Sequence, residues 1–171
     1  QPTLLRREKA PGTIRVFVFG ESAAEGDPEP AFGMPRLLEV LLEDRFSGRD
    51  FEVINASVTA INSHAIQPIT RECAGLDGDF WVIYIGHNEV MGPFGAGTVF
   101  GQKTPPLAAL SLGLSLKRFR LGQWIASFDK LSSGDDSTHW KGMGMFLDQQ
   151  LRASDPQLNW VYDSYKKNLS D

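Results

Sequence analysis

Three short apolar runs alternate with helical patterns over the first half of the chain. Each run is rich in β-branched and aromatic side chains and therefore predicts a buried strand: residues 14–19, 51–56 and 80–85. Pro35 opens a helix whose apolar positions recur at helical spacing and form one face: Leu37, Leu38, Leu41, Leu42 and Phe46. Residues 62–73 predict a second helix, which Pro68 kinks or delimits.

This order of strand, helix, strand, helix, strand is typical of an α/β fold. Parallel strands joined by right-handed helical crossovers form a doubly wound, flavodoxin-like sheet with flanking helices. The third run is almost continuously apolar, which favours a strand covered on both faces. Residues 1–13 are polar and basic and predict a lead-in, and residues 21–32, rich in Gly, Pro and acidic side chains, predict a loop.

The second half of the chain predicts a helical, lid-like insertion at residues 93–171, within one domain spanning residues 14–171. Its helical stretches before the last are residues 105–131 and 140–151. Asp155 followed by Pro156 marks a helix start, and the last helix carries an apolar stripe: Leu158, Val161, Tyr162, Tyr165 and Leu169. Because a crossover helix delivers the chain to another parallel strand, we expect the domain to continue beyond Asp171. The sheet is then incomplete at its C-terminal side.

Composition and charge exclude several classes of partner. The net charge is −4, and the short basic run is confined to residues 117–120, so a nucleic-acid surface is not expected. No stretch approaches the roughly 20 apolar residues of a membrane span. The single cysteine, Cys73, excludes an intrachain disulfide and is expected to be a small core residue on a helix. No signal peptide is visible. Because the chain starts at Gln1 and not at Met, we expect the true N-terminus to be missing, and the sequence gives no compartment.

A small polar cluster follows each of the three predicted strands. The clusters are Phe-Gly-Glu-Ser-Ala-Ala-Glu-Gly at residues 19–26, Asn-Ala-Ser-Val-Thr-Ala at residues 55–60 and Gly-His-Asn-Glu at residues 86–89. In an open parallel sheet the carboxyl ends of the strands share one edge, where ligands bind. We therefore expect the three clusters to converge at one site.

The three clusters, in this order and at these strand ends, resemble the first three sequence blocks of the SGNH (GDSL-like) hydrolases of bacterial type. The family's Gly-Asp-Ser corresponds to Gly20-Glu21-Ser22, and its Gly-x-Asn-Asp to Gly86-His87-Asn88-Glu89. The resemblance implies that Ser22 is the nucleophile. It also implies an oxyanion hole made by the backbone N–H groups of Ser22 and Ala60 and the side-chain amide of Asn88.

The chain departs from the family pattern at three positions. Glu21 and Glu89 stand where the family has aspartate, and both lie beside the residues implied to react. Ala60 stands where the family has glycine. Alanine keeps the N–H donor but adopts positive φ less freely than glycine.

A serine nucleophile needs a base, which in this family is a histidine from a late Asp-x-x-His block. We expect a surface or packing role for His64, and His87, at the variable position of the third block, could line the pocket. Asp136 and His139 fit the Asp-x-x-His pattern but lie in a polar stretch with no strand before it. The base therefore comes either from that pair or, as we expect, from residues beyond Asp171.

The resemblance implies a serine ester hydrolase that acts through an acyl-enzyme on carboxylic esters or O-acetyl groups. The substrate would be a small-molecule or carbohydrate ester, and no cofactor or metal is implied. The acidic loop with Glu25, Asp27 and Glu29 has no His or Cys beside it, so a solvated loop is expected there. Alternatives are an O-acyltransferase or a non-catalytic binding module on the same fold. A nucleotide-binding domain is disfavoured because residues 20–26 fit no phosphate-loop fingerprint.

Overall fold

The computed structural model describes residues 5–98 and 150–171, and these form an open α/β sheet with flanking helices. The elements are the strands β1 (Thr13–Gly20), β2 (Asp50–Asn55) and β3 (Phe80–Tyr84) and the helices α1 (Ser22–Glu25), α2 (Met34–Arg45), α3 (Ser63–Cys73) and α4 (Gln157–Ser170). Within the described ranges the strands are all parallel, in the order β2-β1-β3. The predicted parallel α/β fold is confirmed.

The contacts divide the chain into two compact units. One consists of Gln1–Glu89 with Tyr165–Asp171, and it contains the sheet and the helices α1 to α3. The other is Val90–Ser164, of which the structure describes residues 90–98 and 150–164. In this second unit residues 92–98 form consecutive turns, closed in part by the Gly97 N–H bond to the Val90 carbonyl.

The central strand β1 supplies most of the core. Val16, Phe17, Val18 and Phe19 are buried, because β1 is paired on both sides and its neighbours cover both its edges. Phe17 and Phe19 point to the same face, where Ile54 and Ile66 of α3 complete the main apolar cluster. Cys73 packs partly buried against this cluster, as predicted.

The predicted cover on both faces of the third strand is wrong. Phe80 is 60% exposed and Ile83 48%, because β3 is the edge strand of the sheet that the structure describes and pairs only with β1. The apolar face predicted for α2 is also only partly covered. Leu38 and Leu42 are half-buried, one turn apart, whereas Leu37 and Leu41 are 54% and 65% exposed. Neighbouring residues on a helix differ by about 100° in direction, so the covered stripe is narrower than predicted.

The predicted loop at residues 21–32 contains a turn of α-helix, α1, and a 3-10 turn, Pro30–Phe32. The start of α4 is as predicted, since Asp155 Oδ1 accepts the Gln157 N–H at 2.9 Å. Its buried stripe is shorter than predicted, because Leu158 and Val161 are buried but Tyr162 and Leu169 are about half exposed. The helical stretch expected at residues 105–131 lies outside the described residues, as does the one expected at residues 140–151 except for its last two residues, 150 and 151, which are not helical.

The amino end of the sheet holds a buried cation that the apolar pattern did not predict. Arg15, the second residue of the first apolar run, is fully buried and forms an ion pair with Glu52, at 2.7 Å. Its guanidinium also donates to the carbonyl oxygens of Arg6, Arg7 and Leu76. These bonds fix the lead-in against the sheet. No helix within the described ranges combines the length and apolarity needed to cross a bilayer.

Candidate active site

The three polar clusters meet at the carboxyl edge of the sheet. The parallel register pairs Gly20 with Tyr84 and Val18 with Asn55, so the three strands end at neighbouring positions. The segment after β2 is bonded directly to the end of β1. The Ala56 N–H donates to the Val18 carbonyl at 2.8 Å and the Val58 N–H to the Gly20 carbonyl at 3.1 Å. The convergence expected from the strand ends is therefore observed.

Ser22 is the first residue of α1 and is half-buried. It follows Glu21, the last residue before the helix. The tight fold of α1 against the strand ends depends on Gly20. A Cβ there would lie 2.3 Å from the Ala24 Cβ and 2.6 Å from the Tyr84 carbonyl oxygen, both impossibly close. Glycine at this position is what allows the serine-bearing turn to lie directly over the sheet edge.

The side chain of Glu21 joins the serine-bearing turn to the turn after β3. It is only 1% exposed, and its two oxygens accept the Gly86 and Asn88 N–H groups, each at 3.1 Å. The Nδ1 atom of His87 lies 3.5 Å from the second of these oxygens. Gly86 has a φ of +126°, a conformation that favours glycine, and this lets the backbone of residues 86–88 curve around the carboxylate.

Asn88 faces the segment that carries Ala60. Its side-chain amide donates one hydrogen to the Ile61 carbonyl at 2.9 Å, so the second N–H of that amide can serve another acceptor. Ala60, the residue before Ile61, has a φ of 61° and is exposed. Ala60 thus adopts the left-handed conformation that glycine favours and that alanine adopts less freely. The sequence already marks this position as a departure from the family pattern, which has glycine here.

Glu89 forms a second buried carboxylate contact, at the N-terminus of α3. Its oxygens accept the Ser63 N–H at 2.7 Å and the Ser63 hydroxyl at 2.8 Å. Burial raises the pKa of the Glu89 carboxyl above its ordinary value, the bonds from Ser63 oppose that rise, and the charge of Glu21 adds to it. The sequence marked both glutamates only as departures from a family pattern and did not predict their burial.

Two residues near the end of α4 belong to the same unit and reach this network. The Asn168 amide donates to the Ser63 hydroxyl at 2.9 Å and lies 3.0 Å from His64 Nδ1. Burial lowers the pKa of His64, whose environment agrees with the predicted packing role. The Tyr165 hydroxyl borders Gly86, and burial, followed by the charges of Glu89 and Glu21, raises its pKa. Sequence reasoning assigned neither Asn168 nor Tyr165 to the site.

The acidic segment that begins at Glu25, the last residue of α1, is partly engaged in hydrogen bonds. The Thr59 hydroxyl donates to the Glu25 carboxylate at 2.6 Å, and the Asn55 amide donates to the Glu25 carbonyl at 3.1 Å. A cavity of about 680 Å³ opens beside these residues, and neither Ser22 nor Asn88 lines it. In the part of the chain that the structure describes, no three His, Cys, Asp or Glu residues are placed to hold a metal ion.

Comparisons with known proteins assign no family. No protein-family model matches the chain, and no curated protein matches it. A solved crystal structure of TesA is similar over 63% of this chain, with 24% identity and a TM-score of 0.38. The match spans 55% of TesA, a little over half of its length. A similarity this weak carries no argument about activity, and the function must be argued from the site itself.

Replacing Ala60 by glycine should stabilise the protein. An L-residue in the left-handed conformation costs about 1–2 kcal/mol, and the greater backbone freedom of glycine offsets about 0.5–1 kcal/mol of the gain. We expect Ala60→Gly to raise the free energy of unfolding in urea by a few tenths to about 1 kcal/mol. The matched control is Ala74→Gly, at an exposed alanine with a helical φ of −57°, which should lower it. Equal losses in the two variants would contradict the assigned conformation of Ala60.

The stability cost of ionising Glu89 should be visible as a pH dependence. Its pKa in the folded protein is raised above the ordinary value of 4.5, so the folded state keeps a proton that the unfolded state has lost. Its contribution to stability is therefore complete below pH 4.5 and is lost as the pH rises through the folded-state pKa.

Glu89→Gln cannot ionise, so its stability relative to wild type should increase as the pH is raised from below 4.5 towards neutrality. Urea unfolding over this range measures the difference. Glu43→Gln, which removes an exposed carboxylate on α2, controls for the change in net charge. A difference between Glu89→Gln and wild type that stays constant or falls with pH would contradict the assignment.

Proposed function

We propose that this edge of the sheet is an ester-hydrolysing site in which Ser22 is the nucleophile. The oxyanion donors are the N–H groups of Ser22 and Ala60 and the side-chain amide of Asn88. One observation carries the proposal. Glu21, directly before Ser22, binds the Asn88 N–H, while the Asn88 side chain binds Ile61, directly after Ala60. The three proposed donors therefore lie on segments that are hydrogen-bonded to one another.

The arrangement suits acyl transfer. The Ser22 hydroxyl attacks the ester carbonyl carbon and gives its proton to a base, and the carbonyl oxygen becomes an oxyanion. The first N–H groups of a helix lack partners within the helix, so the N–H of Ser22 is available to this oxygen. Collapse of the intermediate expels the alcohol, which takes the proton from the base. Water then releases the acid from Ser22 by the same steps, with no cofactor or metal required.

We propose that the base is neither of the two histidines that the structure describes, His64 and His87. His64 lies on α3 in the contact with Asn168, and burial disfavours its charged form. His87 lies beside the buried Glu21 carboxylate, and its ring centroid is 5.0 Å from that of Tyr84, with the two rings inclined at 60°. We propose that Asp136 and His139, or residues beyond Asp171, provide the pair. The substrates proposed are carboxylic esters, including O-acetyl groups on carbohydrates.

Labelling with a fluorophosphonate probe tests the nucleophile. The purified full-length protein, with any residues that follow Asp171, should be labelled on one serine, and Ser22→Ala should abolish the labelling because the reacting oxygen is removed. Ser47→Ala, at an exposed serine after α2, is the matched control and should label like wild type. If the wild-type protein is not labelled, or if Ser22→Ala still is, the esterase proposal fails and a non-catalytic binding module is favoured.

The same assay tests the donor role of Asn88. Asn88→Ala should slow labelling by about 10²–10³-fold, as expected for loss of one oxyanion donor. The variant also loses the bond to Ile61, which is worth about 1 kcal/mol of stability. Its rate is therefore compared with wild type well below the unfolding temperature of both. A rate within about threefold of wild type would exclude Asn88 from the oxyanion hole.

A further inference from the structure

Asn88 and the residue after it are hydrogen-bonded to two other segments of the chain, the serine-bearing turn at Glu21 and the stretch of residues 61–63. The backbone N–H of Asn88 binds Glu21 at 3.1 Å, its side-chain amide binds the Ile61 carbonyl at 2.9 Å, and the next residue, Glu89, binds Ser63. We propose that Glu21 and Glu89 are positioning residues, which together aim the second amide hydrogen of Asn88 at the substrate carbonyl. This inference rests on the proposed function.

Glu21 is suited to this task by its chemistry. Both of the hydrogen bonds that the structure gives its carboxylate come from backbone N–H groups, which can only donate. A carboxylate offers two acceptor oxygens and its charge strengthens both bonds, whereas an amide of the same shape offers one acceptor and one donor. A carboxylate that is 1% exposed is costly unless such partners satisfy it. Glutamine at this position would therefore set an N–H against an N–H and displace residues 86–88.

Glu89 binds a different kind of partner. It accepts one backbone N–H and one hydroxyl, both from Ser63 at the N-terminus of an 11-residue helix. The Ser63 hydroxyl also accepts from Asn168, so it stands between α4 and the carboxylate. A hydroxyl can donate or accept. Glutamine at this position can accept the Ser63 N–H and donate to the Ser63 oxygen, which keeps the anchor in place.

The two glutamates should therefore respond differently to the same substitution. Glu21→Gln breaks one of two bonds, while Glu89→Gln retains both and Glu89→Ala retains neither. If these two carboxylates had only a structural role, replacing either one would lower the stability of the protein, and the loss would be larger for the more deeply buried carboxylate. If they position Asn88, replacing them lowers kcat while KM stays unchanged, and it also changes the NMR signals of Asn88.

The experiment measures hydrolysis of p-nitrophenyl acetate by wild type, Glu21→Gln, Glu89→Gln and Glu89→Ala. Glu43→Gln is the control for loss of a surface carboxylate. We expect kcat to fall by about 10–100-fold in Glu21→Gln and Glu89→Ala, with KM within about twofold of wild type. Glu89→Gln should stay within about threefold of wild type, as should the control. Equal losses in Glu21→Gln and Glu89→Gln, or losses in KM alone, would overturn the inference.

Proton–nitrogen NMR of the same proteins gives a readout that does not depend on activity. In Glu21→Gln the Asn88 backbone amide should move upfield and its side-chain amide signals should shift, whereas in Glu89→Gln both should stay near their wild-type positions. Unchanged Asn88 signals in Glu21→Gln and Glu89→Ala would overturn the inference whatever the activity. If the signals move as expected in a protein without turnover, positioning is supported and the esterase proposal is what fails. Should Glu21→Gln not fold, the contrast between the two Glu89 variants decides.

Discussion

The interaction on which the site depends is the acceptance of two backbone N–H groups by the buried carboxylate of Glu21. A buried negative charge directly before the proposed nucleophile is costly unless it is fully hydrogen-bonded. The turn after β3 meets this requirement with the N–H groups of Gly86 and Asn88. The contact is possible because β1 and β3 are neighbours in the sheet and Gly20 is paired with Tyr84. The order and register of the strands therefore determine which backbone N–H groups can reach the Glu21 carboxylate.

The strands could be predicted from the sequence because apolar, β-branched runs have few other solutions. Each strand begins and ends within one residue of the predicted bounds. Burial was less predictable. Leu41 has the same apolar character as Leu42 but lies on the exposed side of α2, and Arg15 is buried within a run that otherwise predicts apolar packing. The exposure of Leu41 and the burial of Arg15 both depend on tertiary contacts, which the local sequence pattern does not predict.

The site could be predicted in part. The strand ends predict where the polar clusters meet, and the family resemblance of those clusters selects Ser22, Ala60 and Asn88 within them. The structure brings their segments together, while their chemical roles remain our proposal. The groups that hold these segments could not be predicted. Glu21 and Glu89 resemble ordinary loop glutamates in sequence, and Asn168 is separated from Ser63 by 105 positions. The only signal was that both glutamates departed together from a pattern that has aspartate.

The account is tested most directly by a crystal structure of the protein after reaction with a phosphonate ester, whose tetrahedral phosphorus mimics the intermediate. The account predicts a covalent bond from phosphorus to the Ser22 oxygen. It also predicts that one phosphonyl oxygen lies within about 3 Å of the Asn88 side-chain nitrogen and of the Ser22 and Ala60 nitrogens. A phosphonyl oxygen that points into solvent, with the Asn88 amide turned away from it, would contradict the account.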